Sequence, residues 1–242
     1  MLYSRNRFFM VKKGWQHMGF HHIRIMRKWA RYAPDAFWGD RLNVRFHLCA
    51  VLRKLHGKKL LDLGCGPGII LSEVPDDNEK FGIDLKPAFL ETAKRLNPGG
   101  TFLERDINKL LPFPDRFFDV VIAASIVEPG IAGPSFLPEA SRILKENGLF
   151  LLTTPNREHS AFMNHPSKFT MAEAQQVLQS HFSGKLYGYN HLGFLPSFTR
   201  RLLYPLPFIG TLLAWLMFRS PPAKGTAFFF QGRLPPRGAE PA

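Results

Sequence analysis

The run Leu60-Leu61-Asp62-Leu63-Gly64-Cys65-Gly66-Pro67-Gly68 constrains this chain more than any other stretch. Its first half suits a short buried strand that ends in Asp62. Glycine then stands at every second position. Such a loop turns tightly, presents bare backbone to a ligand and aims the N-terminus of the next helix at it. The spacing is not the dinucleotide fingerprint G-x-G-x-x-G/A, because position 69 is Ile and the third glycine comes one residue early. It is no P-loop either, since no GK[ST] follows.

The chain around this loop alternates regularly. Short apolar runs predict strands over Lys59–Leu63, Glu79–Asp84, Thr101–Glu104, Phe117–Ala124 and Leu149–Thr154. Helical segments separate them, which predicts a parallel sheet covered on both faces. Pro87 stands where a first helical turn would begin, ahead of Phe89, Leu90, Ala93 and Leu96. Phe136–Lys145 carries Leu137, Ala140, Ile143 and Leu144 at helical spacing, with Gly148 to close it. Thr170 and Glu173 have capping-box spacing before Met171, Ala174, Val177 and Leu178. Upstream, Asp40 can cap a helix running to about Leu55, which Gly57 ends.

Acidic residues mark the strand ends. Asp84 closes the second strand twenty residues after Gly64, where a carboxylate can accept both hydroxyls of a ribose. The third strand runs into Asp106-Ile107. There a carboxylate could accept from an adenine amine while the Ile107 N–H donates to the ring. Three strand ends thus carry groups suited to one adenosine.

This constellation resembles the class I S-adenosylmethionine-dependent methyltransferases. The resemblance rests on LLDLGCGPG, GIDLKP, Glu104-Arg105-Asp106, FFDVVIAAS and the block ASRILKENGLFLLTTPN. It covers about residues 57–157, with weaker echoes to about 233. FPDRFFDVV and the TPN after the fifth strand look most like the small-molecule branch that includes quinone and lipid-precursor enzymes. The resemblance implies a Rossmann-like, doubly wound α/β sheet of seven strands with an antiparallel last strand, for which TAFFFQGRL (226–234) is suited. It also implies S-adenosyl-L-methionine as cofactor. Asp62, Gly64, Gly66 and Gly68 would hold its methionine part, Asp84 its ribose and Leu85 the adenine face. Asp106 and Ile107 would read the adenine, and Ser125 would face the sulfonium. Many relatives carry a Glu-His pair after the fourth strand; here Glu128 is followed by Pro129. A base is needed only if the acceptor must lose a proton. His159, Glu128 and His165 are the candidates, in that order. Cys65, inside the loop, reads as a small filler.

Charge divides the 242 residues into three. Residues 1–56 hold 12 Lys+Arg against 2 Asp+Glu, a net of +10; residues 57–155 are net −3 and residues 156–242 net +6. The basicity lies on the flanks, where a polyanionic partner would meet it. The expected division is a basic, partly amphipathic arm over 1–38 and a methyltransferase domain over 39–242. Within the domain, a hydrophobic insertion is expected at about 192–219. In the arm, Met18, His22, Ile25 and Trp29 fall on one helical side and Arg24, Arg27, Lys28 and Arg31 on the other, although Phe20 interrupts the basic face. That pattern suits a membrane surface or a helix folded onto the domain. The uncharged stretch 202–218 has 17 residues, interrupted by Pro205, Pro207 and Gly210, short of the roughly 20 that a span needs.

The expected acceptor is therefore a small, amphipathic or lipid-like molecule, met in the cytoplasm with peripheral membrane contact through 1–34 and 202–218. A mitochondrial leader is the lesser alternative, since Ser4 is the only serine of the arm. RNA methylation would use the basic flanks, but no Asn/Asp-Pro-Pro-aromatic motif follows the fourth strand and no RNA-binding module is recognisable. A non-catalytic cofactor-binding scaffold is the remaining alternative. Two cysteines exclude a disulfide framework, and nothing in the pattern calls for a metal.

Overall fold

The computed structural model describes residues 24–25, 27–29, 31–32, 42–124, 126, 136–157, 169–189 and 227–236. The expectations for Asp40, for 202–218 and for the arm before residue 24 fall outside the described residues.

Seven strands form one sheet in the order β3-β2-β1-β4-β5-β7-β6. They are β1 (Lys59–Leu63), β2 (Glu79–Asp84), β3 (Thr101–Glu104), β4 (Phe118–Ala124), β5 (Leu144–Pro155), β6 (Ser183–Tyr189) and β7 (Ala227–Arg233). The first five pair in parallel, and β7 runs antiparallel to both β5 and β6. The helices with described bounds are α1 (Leu42–Leu52), α2 (Pro87–Leu96), α3 (Phe136–Ile143) and α4 (Met171–Gln179). The order reverses between β1 and β4, which opens a crevice at the carboxyl edge where open α/β sheets bind ligands.

Burial explains the apolar runs. Successive strand residues go to opposite faces. Leu61, Val121, Phe150, Leu152, Phe228 and Phe230 pack with α3 and α4 on one side. Leu60, Val120, Leu149, Leu151 and Phe229 pack with α1 and α2 on the other. Both faces are covered, so Phe228-Phe229-Phe230 can be apolar without interruption. The abundant phenylalanine is used here too: the rings of Phe150 and Phe182 stack at 4.2 Å, both fully buried. Thr170 caps α4 as its spacing predicts; its Oγ1 accepts from Glu173 N at 3.2 Å and its own N–H donates to Glu173 Oε2 at 2.8 Å.

Three local features differ from the sequence reading. The glycine loop feeds a single 3₁₀ turn, Leu71–Glu73, rather than a helix. Pro75 is the reason: the residue before a proline is pushed out of the helical region, and Val74 is extended. Helix α1 ends at Leu52 rather than about Leu55, and α3 ends at Ile143, two residues short of Lys145. Leu144 instead pairs with Phe118. Arg116 secures that exit by donating its N–H to Arg142 O at 2.9 Å and Nη1 to Leu144 O at 3.2 Å.

The described part of the arm lies on the domain. Ile25 and Trp29 are buried in the same cluster as Leu48, Leu52 and Leu71. Arg27 and Arg31 are exposed. Among the described residues no helix is long and apolar enough to cross a membrane.

Removing the Phe182 ring should leave a large void under α4. Phe182→Ala is expected to cost about 3–5 kcal/mol, read as a lowered denaturant midpoint with an unchanged slope.

Candidate cofactor site

The ends of β1, β2 and β3 are tied together by hydrogen bonds that backbone N–H groups donate. Cys65 N donates to Ile83 O at 2.8 Å, and Gly66 N donates to Asp84 Oδ2 at 2.8 Å. The other Asp84 oxygen, Oδ1, accepts from Lys86 N at 2.9 Å. Arg105 N reaches Asp84 O at 3.3 Å. A carboxylate has about four lone-pair sites, so both Asp84 oxygens keep capacity for a ligand.

The glycines do different work in this loop. Gly64, Gly66 and Gly68 have φ of +65°, +52° and +73°, in the left-handed region that side chains resist. At Gly68 a Cβ would lie 2.8 Å from Ala93 Cβ and from Asn97 Nδ2, so glycine lets α2 approach. At Gly64 it would strike Ile126. At Gly66 a Cβ would meet nothing within 4 Å. Among the described residues the loop is therefore closed behind and open above Gly66, a cradle suited to a ligand.

The other described candidates lie at or just after the ends of β1, β2 and β3. Asp62 is buried at the end of β1. Leu85, directly after Asp84, is 62% exposed, unusual for a large apolar side chain and suited to lie against a flat ring. Asp106 Oδ1 accepts from Asn108 N at 2.9 Å and from Asn108 Nδ2 at 3.0 Å. The backbone bond foremost holds the Asp106 carboxyl below the usual carboxylate range. Ile107 is buried beside it. Ser125, Glu128, His159 and His165 lie outside the described residues.

Cys65 is a filler. A Cβ on Gly82 would lie 2.8 Å from its Sγ, so the two residues fit each other. Burial, then the charges of Asp62 and Asp84, push its thiol well above the ordinary value.

Two supports were not legible in advance. Asn97 Nδ2 donates to Gly68 O and to Ala93 O, both at 3.0 Å, binding the loop to the end of α2. The Pro98-Gly99 that follows signals that helix end, but not the long-range bond. Arg142 on α3 clamps the segment after Asp106. It donates to Leu111 O, Phe113 O and Asp115 Oδ1, while Glu139 Oε1 accepts from Leu111 N at 2.7 Å. The apolar cavity between α3, α4, β5 and β7 is only about 20 Å³, too small for an organic acceptor.

Residues 61–152, which include this loop and all three acidic strand ends, match the family described as "Methyltransferase domain". Residues 61–152 are thus a methyltransferase domain, and the comparisons support a class I S-adenosylmethionine-dependent methyltransferase. S-adenosyl-L-methionine is the cofactor that this family implies, and the open glycine cradle beside Asp84 fits it.

A "Probable S-adenosylmethionine-dependent methyltransferase" of Mycolicibacterium smegmatis is 28% identical over 130 residues, 52% of this chain and 48% of that protein. A demethylmenaquinone methyltransferase of Tropheryma whipplei is 28% identical over 140 residues, 57% of this chain and 53% of that one. The chain thus spans about half the length of the curated relatives it matches. The structure of a SAM-dependent methyltransferase from Aquifex aeolicus shares the fold, with a TM-score of 0.56 at 16% identity over 81% of this chain and 93% of that one.

Two outcomes are expected. Gly68→Ala should destabilise the methyltransferase domain more than Gly66→Ala, because only the former adds a packing clash to the left-handed strain of roughly 1–2 kcal/mol; equal melting temperatures would contradict this. Native protein at pH 8 should leave Cys65 unlabelled by a thiol reagent until denaturant is added.

Proposed function

We propose that the protein transfers the methyl group of S-adenosylmethionine to a small, amphipathic or lipid-like acceptor. The observation that carries this reading is the hydrogen bond from Gly66 N to Asp84 Oδ2 beside the switch point of the sheet, within a methyltransferase domain. When bound, the cofactor supplies a methyl group already activated on a sulfonium. The work of this chain is to bind, orient and exclude water. In this reading Asp62 and the loop Gly64–Gly68 take the methionine part, and Asp84 takes the ribose hydroxyls. Leu85 covers the adenine, Asp106 and Ile107 read its edge, and Ser125 faces the sulfonium. His159, Glu128 and His165 follow β4 and β5 in sequence. They are the assigned base candidates for an acceptor that must lose a proton.

The acceptor class is supported by the uncharged stretch 202–218 within a basic, aromatic-rich chain, and by relatives named for demethylmenaquinone. Contact with a membrane surface through the flanks, in the cytoplasm, belongs to the same reading. Against a nucleic-acid acceptor, three of the flank's basic residues, Arg24, Lys28 and Arg53, pair with the buried Glu73.

Calorimetric titration tests the site. Wild type should bind S-adenosylmethionine, and Asp84→Asn should weaken binding roughly 10–100-fold, as expected for losing charge-assisted hydrogen bonds. A folded wild type that does not bind would overturn the reading. With labelled cofactor, incorporation into an organic-phase lipid extract rather than into RNA is the expected acceptor result.

A further inference from the structure

The turn Leu71–Glu73 follows the glycine loop directly and is too short to hold its own shape. Its support comes from outside. The Glu73 side chain is wholly enclosed and meets three cations. Arg24 Nη2 and Arg53 Nη2 donate to Oε2 at 2.8 Å and 2.6 Å, and Lys28 Nζ donates to Oε1 at 2.8 Å. Burial alone would raise the Glu73 carboxyl; the hydrogen bonds from Lys28, Arg53 and Arg24 outweigh it and hold it below the usual range.

An enclosed carboxylate is costly unless it is paired. Two of its three partners come from the N-terminal segment, so that segment supplies most of the pairing the enclosed carboxylate needs. Ile25 and Trp29 seal the junction in the same buried cluster as Ile69, Ile70 and Leu71.

Lys28 goes one step further. Its Nζ also donates to Ser72 Oγ at 2.7 Å. Ser72 Oγ in turn donates to Ile69 O at 2.7 Å, and Ser72 N donates to Gly68 O at 3.0 Å. Two hydrogen bonds therefore connect the N-terminal segment to the last glycine of the loop. We infer that Lys28 is a positioning residue for cofactor binding: through Ser72 it sets the geometry of the loop Gly64–Gly68, making the N-terminal segment part of the cofactor site's support. This inference rests on the proposed cofactor site and adds a control on its affinity from outside residues 61–152.

The test uses the full chain, with S-adenosylmethionine affinity measured by calorimetry and thermal unfolding measured without ligand. Lys28→Met and Ser72→Ala should each weaken binding roughly five- to tenfold, the scale of one or two lost hydrogen bonds. Ser72→Ala keeps all three ion pairs on Glu73 and so keeps the fold. The double variant should bind no worse than the weaker single one, because both break the same path. Lys28→Arg should recover most of the affinity. Lys145→Met, which removes the 2.9 Å ion pair to Asp119 at the entry of β4, should leave affinity unchanged. Unchanged affinity in Lys28→Met alongside a lowered melting temperature would overturn the coupling and leave a merely stabilising contact. Additive losses in the double variant would overturn it too. A folded wild type that binds no S-adenosylmethionine would overturn the site reading itself, and the coupling with it.

Discussion

The hydrogen bond from Gly66 N to Asp84 Oδ2 is the constraint on which the site depends. It joins the ends of two parallel strands beside the point where the sheet order reverses. The same carboxylate also accepts from Lys86 N, at the entry to α2. One acidic side chain thus fixes both the loop and the helix entry before any ligand arrives. Preorganisation of this kind lowers the ordering cost of binding. The surrounding packing serves it: Gly68 admits α2, Gly82 admits Cys65, and Asn97 pins the loop from behind. Among the described residues, the side above Gly66 is left open.

The basic arm takes on a different meaning once its partners are known. From composition alone, an arm with net charge far above zero suggests a polyanion or a membrane. Within the described residues, Arg24 and Lys28 neutralise a buried glutamate, and the apolar side of the segment joins the core. Arg27 and Arg31 remain exposed, so the segment retains charge for an outside partner. The 3₁₀ turn receives from this segment the support that a longer helix would supply by itself.

Most of the sheet was legible in the sequence. Its central strands are buried on both faces, so they are uninterrupted apolar runs bounded by glycine, proline or acid. Glu79–Asp84 and Thr101–Glu104, toward the sheet edge and partly exposed, also have the expected bounds, and the capping box at Thr170 is local chemistry visible in four residues. The convergence of Gly66 and Asp84 was legible through the spacing of the loop and the second strand. What was not legible depends on distant partners. Glu73 reads as an ordinary surface acid until Lys28, forty-five positions earlier, closes on it. Arg142 reads as a helix-face cation until the segment Leu111–Asp115 folds beneath it. The helix expected after Gly68 overlooked what Pro75 does to Val74, and α3 ends early because Leu144 is drawn into pairing with Phe118.

The most direct test of this account is the structure of the full-length protein crystallised with S-adenosylhomocysteine. The account predicts the amino-acid end of that molecule above Gly66, its ribose hydroxyls on Asp84, and its adenine between Leu85 and the Asp106-Ile107 turn. A molecule bound elsewhere on the sheet, or one leaving Asp84 untouched, would contradict it.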